Sequence, residues 1–242
     1  MLSVDVGRKG CDSVVCVFKV TPQAQGPAIK SLVNIYTMTD EHMEDQAIKL
    51  KKLFYKYKAR TIVIDGNGLG IGLIDYMVKS QNDELGDFLP DFGVENDDDG
   101  YYKKYRTANT EYDAMYIIKA NAPINTECHT NAQVQLQAGK VKFLIDERVA
   151  KTKLLGTKVG QNMKPEERAE YLKPFTLTSI LREEMMNLRE ENEGVNIILR
   201  QANRGIKKDK FSAFEYGLYY IKQEESNKKK KKFNAKEWRF YN

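Results

Sequence analysis

The sequence is poor in cysteine and has no long apolar run. Its 242 residues include three cysteines, Cys11, Cys16 and Cys128, an odd and scattered set that is typical of a reducing compartment. Cys11 and Cys16 would face opposite ways in an extended segment, so we expect no zinc site there. No apolar run approaches the roughly 20 residues of a membrane span, and no secretory signal pattern is present. We therefore expect no membrane partner.

The sequence also lacks a phosphate-loop motif and contains only two histidines. The one Gly-Lys pair, Gly139-Lys140, is followed by Val141 where a phosphate loop of the Walker type has Ser or Thr, so we expect no ATPase activity. The two histidines, His42 and His129, have no recognisable motif around them, and we interpret both as structural.

Charge is unevenly distributed along the chain. The net charge is +5, and residues 228–242 hold seven Lys or Arg and one Glu, which leaves the rest nearly balanced. Attraction to nucleic acid must therefore come from local patches or from this end of the chain. We predict a folded domain over residues 1–225 and a basic, flexible tail over residues 226–242. Because Met1 stands one residue before a predicted strand, we expect a domain of a longer protein.

The stretch TIVIDGNGLGIG, residues 61–72, predicts a buried strand, a glycine-rich turn and the start of a helix. Four β-forming residues run without a polar interruption, as in a strand buried on both faces, and end on Asp65. Glycines follow at once, and then apolar residues recur at helical spacing. A carboxylate at the carboxyl end of a central strand lies where open α/β sheets place their sites. A helix N-cap is the alternative role for Asp65.

The first 60 residues predict three further strands of the same sheet and a connecting helix. Alternation at Leu2–Val6 and the apolar segments Ser13–Val20 and Ile29–Met38 predict three antiparallel strands. A helix over Glu41–Tyr57, capped by Asp40, would connect them to the strand that ends at Asp65. A right-handed crossover places that strand beside the first one.

The remaining predictions follow the chain. We expect a surface loop over Gln81–Gly100, a fifth strand over Met115–Lys119 and a mobile loop over Lys151–Lys164. Helices are predicted over Asn125–Gln137, Phe175–Asn192 and Asp209–Lys222, and extended segments over Val141–Ile145 and Val195–Leu199.

We expect three carboxylates from distant segments to meet in this arrangement. Asp5 interrupts an apolar strand, Asp65 ends the neighbouring strand, and Asp209 begins the last helix, where the helix dipole stabilises an anion. Clustered carboxylates raise one another's pKa unless cations neutralise them. Oxygen ligands favour hard cations, Mg²⁺ or Mn²⁺. We expect two such ions, which would activate a water and stabilise the leaving oxygen of a phosphodiester.

Three motifs carry a resemblance to a known family. DVGRKGCDS at residues 5–13, VIDG at 63–66 and KKDKFSAFEYGL at 207–218 resemble the nuclease domain of phage terminase large subunits. The resemblance covers residues 1 to about 225. It implies an α/β, RNase H-like fold, with a mixed central sheet of three antiparallel strands and then parallel strands, flanked by helices. It also implies an endodeoxyribonuclease that cuts concatemeric double-stranded DNA, with little sequence specificity, in the cytoplasm of the host.

The resemblance assigns roles to particular residues. Asp5, Asp65 and Asp209 match the three metal-binding acids, and Asp12 resembles an additional acid after the first turn. Some relatives have a histidine three residues before the last acid, where this chain has Ile206. Implied partners are the ATPase motor domain of the full-length protein, the small terminase subunit and the portal protein, the last through Trp238, Phe240 and Tyr241 in the tail.

Cleavage without sequence specificity requires contacts to the DNA backbone. The candidates lie beside the acids or in the YYKKYR segment: Arg8, Lys9, Lys103, Lys104, Arg106, Lys207, Lys208 and Lys210. Three alternatives stay open on the sequence: another RNase H-like nuclease that cleaves junctions or hybrids, an actin-like ATPase, and a DNA- or portal-binding module without catalysis.

Overall fold

The computed structural model describes residues 1–7, 10 and 12–237, the last ten of them by backbone alone. The strands are β1 (Leu2–Asp5), β2 (Asp12–Thr21), β3 (Ile29–Thr39), β4 (Ile62–Asp65), β5 (Gln81–Asn82), β6 (Phe88–Leu89), β7 (Phe92–Val94), β8 (Glu111–Ile118), β9 (Val141–Lys142), β10 (Leu188–Glu193) and β11 (Asn196–Gln201). The helices are α1 (Met43–Lys56), α2 (Leu69–Met77), α3 (Ala122–Gln137), α4 (Glu147–Leu155), α5 (Lys158–Asn162), α6 (Pro165–Met186) and α7 (Asp209–Glu237), with a 3₁₀ turn at Lys103–Tyr105.

Seven strands form the central sheet, in the order β7-β8-β4-β1-β2-β3-β9. β1, β2 and β3 are antiparallel neighbours, whereas β4, β8 and β7 continue the sheet in parallel from β1. The predicted mixed sheet and the predicted position of β4 beside β1 are therefore confirmed. Edge strand β9 pairs in parallel with β3.

The two faces of the sheet pack against different helices. Leu2, Val4, Ile62 and Ile64 point into a core that includes residues of α1 and α2. Their neighbours in sequence point to the other face, where α7 crosses β1 and β2. Gly217 permits this close approach, because a Cβ there would overlap the Phe18 ring and crowd Ser3.

Helix α7 runs antiparallel to β1 and β4. It begins near their carboxyl ends, and the Tyr220 hydroxyl lies 3.1 Å from the Thr61 hydroxyl at the start of β4. The backbone of α7 is helical as far as Glu237, without a break at residue 225. The division into a domain over 1–225 and a tail over 226–242 stays a prediction, and Trp238, Phe240 and Tyr241 lie outside the described residues.

Several boundaries differ from those predicted. The helix predicted over Phe175–Asn192 extends instead over α6, because Pro165 is favoured in a first helical turn. It ends before β10, which forms a hairpin with β11. The cap assigned to Asp40 is wrong, because this residue has a positive φ of 54° and accepts a hydrogen bond from the Gly10 N–H. Helix α1 starts at Met43 after His42.

Two segments predicted as loops contain regular structure. The predicted surface loop Gln81–Gly100 includes β7, because Phe92 and Val94 are buried in the core at the edge of the sheet. The predicted mobile loop Lys151–Lys164 contains the end of α4 and all of α5. Apolar residues explain this, since Ala150 and Leu154 pack against Leu172 of α6. In the described part of the chain, no helix has both the length and the apolar character to cross a membrane.

Candidate active site

Asp5 and Asp65 lie side by side where β1 and β4 end. Val4 pairs with Ile64 in the parallel ladder, so the two carboxylates follow a matched pair of residues on strands about 4.8 Å apart. Side chains alternate between the faces of a strand, and the residues two positions earlier, Ser3 and Val63, face α7. Both carboxylates therefore point to the α7 side of the sheet.

Asp209 is the first residue of α7, which packs across the same face. The positive end of the helix dipole favours a carboxylate in this position. Asp12 begins β2 at the same edge, since β2 is antiparallel to β1 and Asp5 pairs with Val14. We call this side of the sheet the acid edge, defined by Asp5, Asp12, Asp65 and Asp209.

The carboxylates of the acid edge influence one another. Burial raises the pKa of Asp5 to about 7, and the charges of Asp209 and Asp65 contribute in the same direction. Lys208 opposes this shift in part. Burial is also the main cause of the raised pKa of Asp65 and of Asp209. The structure thus brings together Asp5, Asp65 and Asp209, the three acids that the sequence predicts. Their raised pKa values mean that the ionised carboxylates are less stable here than in water.

Asp5, Asp65 and Asp209 offer carboxylate oxygens, which are the ligands that hard divalent cations prefer. A bound cation would also stabilise the ionised forms of these carboxyl groups. Within the described residues, no three His, Cys, Asp or Glu side chains are arranged closely enough to enclose a metal ion. Water and a phosphodiester would therefore supply much of the coordination, as is common for Mg²⁺.

Asp65 does not cap the helix that follows it. Its Oδ1 accepts a hydrogen bond from the Asn67 N–H at 3.0 Å, and the N-cap position of α2 is Gly68. The Asn67 side chain in turn donates to the carbonyl of Ala120, which follows β8. These bonds orient the turn that carries Asp65 and leave the carboxylate half-buried at the acid edge.

Asp12 is held by protein partners. The Thr39 hydroxyl donates to Oδ1 at 2.6 Å, and the Lys207 ammonium lies 3.4 Å from Oδ2. The Thr39 hydrogen bond is the main cause of the lowered pKa of Asp12, which keeps the group ionised. Its role as an additional metal ligand stays a prediction.

The basic residues on either side of Asp209 have two different environments. Lys207 and Lys208 are exposed, and both charges lower the pKa of Asp209 against the effect of burial. Lys210 is 6% exposed and forms an ion pair with Glu184. The prediction that Lys210 contacts DNA from an exposed rim is therefore wrong, because its ammonium points into the protein. Arg8 and Lys9 lie outside the described residues.

The YYKKYR segment, residues 101–106, lies between β7 and β8. The Lys104 ammonium is 4.0 Å from the ring centre of Tyr101 and 4.9 Å from that of Tyr105, whereas Arg106 pairs with Asp113. Asp113 is five residues before Ile118, the partner of Asp65, so Arg106 is anchored roughly 16 Å along β8 from the acid edge. DNA contacts by Lys103, Lys104 and Arg106 stay predictions.

Comparison with known proteins bears on the fold. No sequence-family model matches this chain, and no curated protein matches it. The structure is similar to that of the large terminase nuclease from thermophilic phage G20c with bound cobalt, with a TM-score of 0.50 and 13% identity over 90% of this chain and 78% of that chain. The chain has the fold of a large terminase nuclease. The same phage nuclease with bound magnesium gives a TM-score of 0.49 at 13% identity, over the same shares of the two chains.

The terminase-nuclease fold confirms the predicted α/β, RNase H-like architecture. The structure also contains a contact near Asp5 that sequence reasoning did not find. His129 of α3 contacts Glu215 of α7, with Nδ1 2.5 Å from Oε2. Both side chains are nearly buried, and the charge of Glu215 contributes to the raised pKa of Asp5. No local signal marks this contact, since its partners are 86 positions apart.

Proposed function

We propose that this chain is a metal-dependent endonuclease that hydrolyses phosphodiester bonds of double-stranded DNA. The observation that carries the proposal is the convergence of Asp5, Asp65 and Asp209 at one edge of a terminase-nuclease fold. Further support comes from the bound cobalt in the phage nuclease of similar fold.

Asp5, Asp65 and Asp209 would hold two divalent cations, Mg²⁺ or Mn²⁺. When bound, such ions supply an activated water and stabilise the leaving oxygen. Asp209, at the start of α7, presents its carboxylate from the side opposite to the strands, so the three ligands approach from two layers. Lys208, whose charge acts on Asp5 and Asp209, offsets part of the negative charge and attracts a DNA phosphate.

Contacts to DNA would involve the phosphate backbone. Lys207 and Lys208 are exposed beside the acids and can neutralise phosphates without reading bases. Cleavage would consequently show little sequence specificity, as packaging of concatemeric viral DNA in the host cytoplasm requires. In that setting the ATPase motor domain, the small terminase subunit and the portal protein are the proposed partners.

The experiment is incubation of supercoiled plasmid with the protein and Mn²⁺, Mg²⁺ or EDTA, with Asp65→Asn as the matched variant. We expect nicked and linear DNA with either metal, no cleavage in EDTA, and a loss of at least 100-fold in Asp65→Asn. Parallel reactions with a four-way junction and an RNA–DNA hybrid distinguish a resolvase or a hybrid-cleaving enzyme. Binding of plasmid without cleavage under every metal condition would support a non-catalytic module instead.

A further inference from the structure

Glu184 of α6 binds both residues that follow Asp209. Its Oε2 accepts a hydrogen bond from the Phe211 N–H at 3.0 Å, and its Oε1 lies 3.1 Å from the Lys210 ammonium. The side chains of Glu184 and Lys210 are 1% and 8% exposed. One carboxylate thus engages the backbone and a side chain within the first turn of α7.

This contact supplies a partner for the first turn of α7. The first four N–H groups of a helix have no partner within the helix, and Glu184 supplies one for Phe211 from outside. Lys210 contributes a second link through its side chain, and the Cys16 thiol of β2 lies 3.8 Å from the Lys210 carbonyl. The turn that carries Asp209 is therefore tied to α6 on one side and to the sheet on the other.

We propose that Glu184 is a positioning residue, which holds the first turn of α7 so that Asp209 faces Asp5 and Asp65. The inference rests on the proposed nuclease function, since it names what orients one of the three acids. Glu184 acts through Lys210 and Phe211 and is not itself placed among the metal ligands. A displacement of Asp209 by about 1 Å would disturb metal coordination and could lower turnover about 100-fold.

A buried ion pair also contributes to folding, so a stability effect must be separated from positioning. The far end of α7 offers a matched control. Glu225 bonds to the ammonium of the fully buried Lys30 at 3.2 Å and accepts the Ala28 N–H. This pair has the same chemistry on the same helix, but lies 15 residues beyond Lys210, roughly 22 Å along the helix axis.

The experiment compares Glu184→Gln, Glu225→Gln and Asp65→Asn with the wild type. Four quantities are measured: kcat and KM for plasmid nicking in Mn²⁺, the Kd for Mn²⁺ by calorimetry, and the Tm. We expect Glu184→Gln to weaken Mn²⁺ binding and to lower kcat by about tenfold or more, with little change in the KM for DNA. Glu225→Gln should lower the Tm and leave kcat and Kd within twofold of the wild type.

A double variant, Glu184→Gln with Lys210→Met, removes the buried ammonium that the single substitution leaves unpaired. If Glu184 positions Asp209, the double variant recovers the Tm but not kcat or Mn²⁺ affinity, and it serves as the test protein if the single variant does not fold. Recovery of the Tm, kcat and Mn²⁺ affinity together in the double variant would overturn the inference, as would wild-type kcat and Kd in Glu184→Gln.

The Asp65→Asn arm separates this inference from the proposed function. If the wild type does not nick plasmid in Mn²⁺, the proposed function fails. If the wild type nicks plasmid but Asp65→Asn binds Mn²⁺ and nicks equally well, the metal site lies elsewhere. In either case the role of Glu184 fails as well. If Asp65→Asn is inactive while Glu184→Gln matches the wild type, the nuclease assignment stands and only the positioning role is overturned.

Discussion

Gly70 of α2 lies directly against the carbonyl oxygen of Asp65. A Cβ built on Gly70 would overlap this oxygen and the carbonyl carbon, both of which belong to the backbone and cannot rotate away. The first turn of α2 can therefore fold back beside the end of β4 only because residue 70 has no side chain. Helix packing and the position of a candidate metal ligand are coupled at this point.

Gly70→Ala should displace the backbone of Asp65. We expect a loss of roughly 1–3 kcal/mol in the free energy of unfolding and at least a tenfold lower nicking rate. Gly72→Ala is the control, because its Cβ would meet only the Met43 Cγ at 3.9 Å, an ordinary contact. The control should gain about 0.5–1 kcal/mol of stability through helix propensity and keep its activity. Equal behaviour of the two variants in denaturation and nicking assays would contradict this account.

The Lys207 and Lys208 side chains should contribute to DNA affinity and to its salt dependence. Replacing both with alanine removes up to two phosphate contacts, so the slope of log K against log salt should fall in magnitude by about 1–2. Binding of duplex DNA in EDTA, at several salt concentrations, measures this slope without cleavage. Lys19→Ala with Lys142→Ala is the control, since these exposed residues flank Ser31 at the opposite edge of the sheet. An equal change in the control would argue against a specific DNA-binding rim.

His129 should stabilise the fold through its contact with Glu215. His129→Phe keeps a planar ring but leaves the carboxylate of Glu215, which is 3% exposed, without this hydrogen bond. Loss of one partner of a buried pair costs roughly 3–5 kcal/mol, which chemical denaturation would detect. The exposed His42 gives the control, and His42→Phe should change stability by less than about 0.5 kcal/mol. A change of similar size in both variants would exclude the proposed role of the contact.

Lys51 should make the free energy of unfolding depend on pH in the alkaline range. Burial lowers the pKa of Lys51 to about 8, with the charge of Asp91 acting in the opposite direction. Between pH 8 and the unfolded value of about 10.4, the unfolded chain binds more protons than the folded chain, so stability rises with pH. Relative to Lys51→Met, the wild type should therefore gain up to about 3 kcal/mol across this range. Urea denaturation of both proteins at pH 7.5, 9 and 10.2 measures the difference, and a constant difference would show the prediction to be wrong.

The sequence predicted the features that depend on local patterns and handedness. An apolar run that ends on Asp65, an alternating strand that contains Asp5, and a right-handed crossover together place two acids on neighbouring strands. The helix predicted to begin at Asp209 supplied the third acid, and the resemblance in three short motifs assigned the same three residues. None of these inferences required knowledge of side-chain contacts between distant segments.

The features that were missed depend on such contacts. Lys210 belongs to a run of charged residues that looks exposed, and its burial is decided by Glu184, 26 positions away. Strand β7 contributes only Phe92 and Val94 to the core, too few residues for a period of two to emerge from an acidic segment. The sequence predicts a loop over α5 and the end of α4, because glycine and lysine outnumber apolar residues there.

The most direct measurement of the central claim is a crystal structure of the protein soaked in Mn²⁺, with anomalous scattering data collected to locate the ions. We predict anomalous density bounded by the carboxylates of Asp5, Asp65 and Asp209, within coordination distance of their oxygens, and the loss of this density in Asp65→Asn. Density elsewhere on the molecule, or Asp209 turned away from the two strand carboxylates in the presence of Mn²⁺, would contradict it.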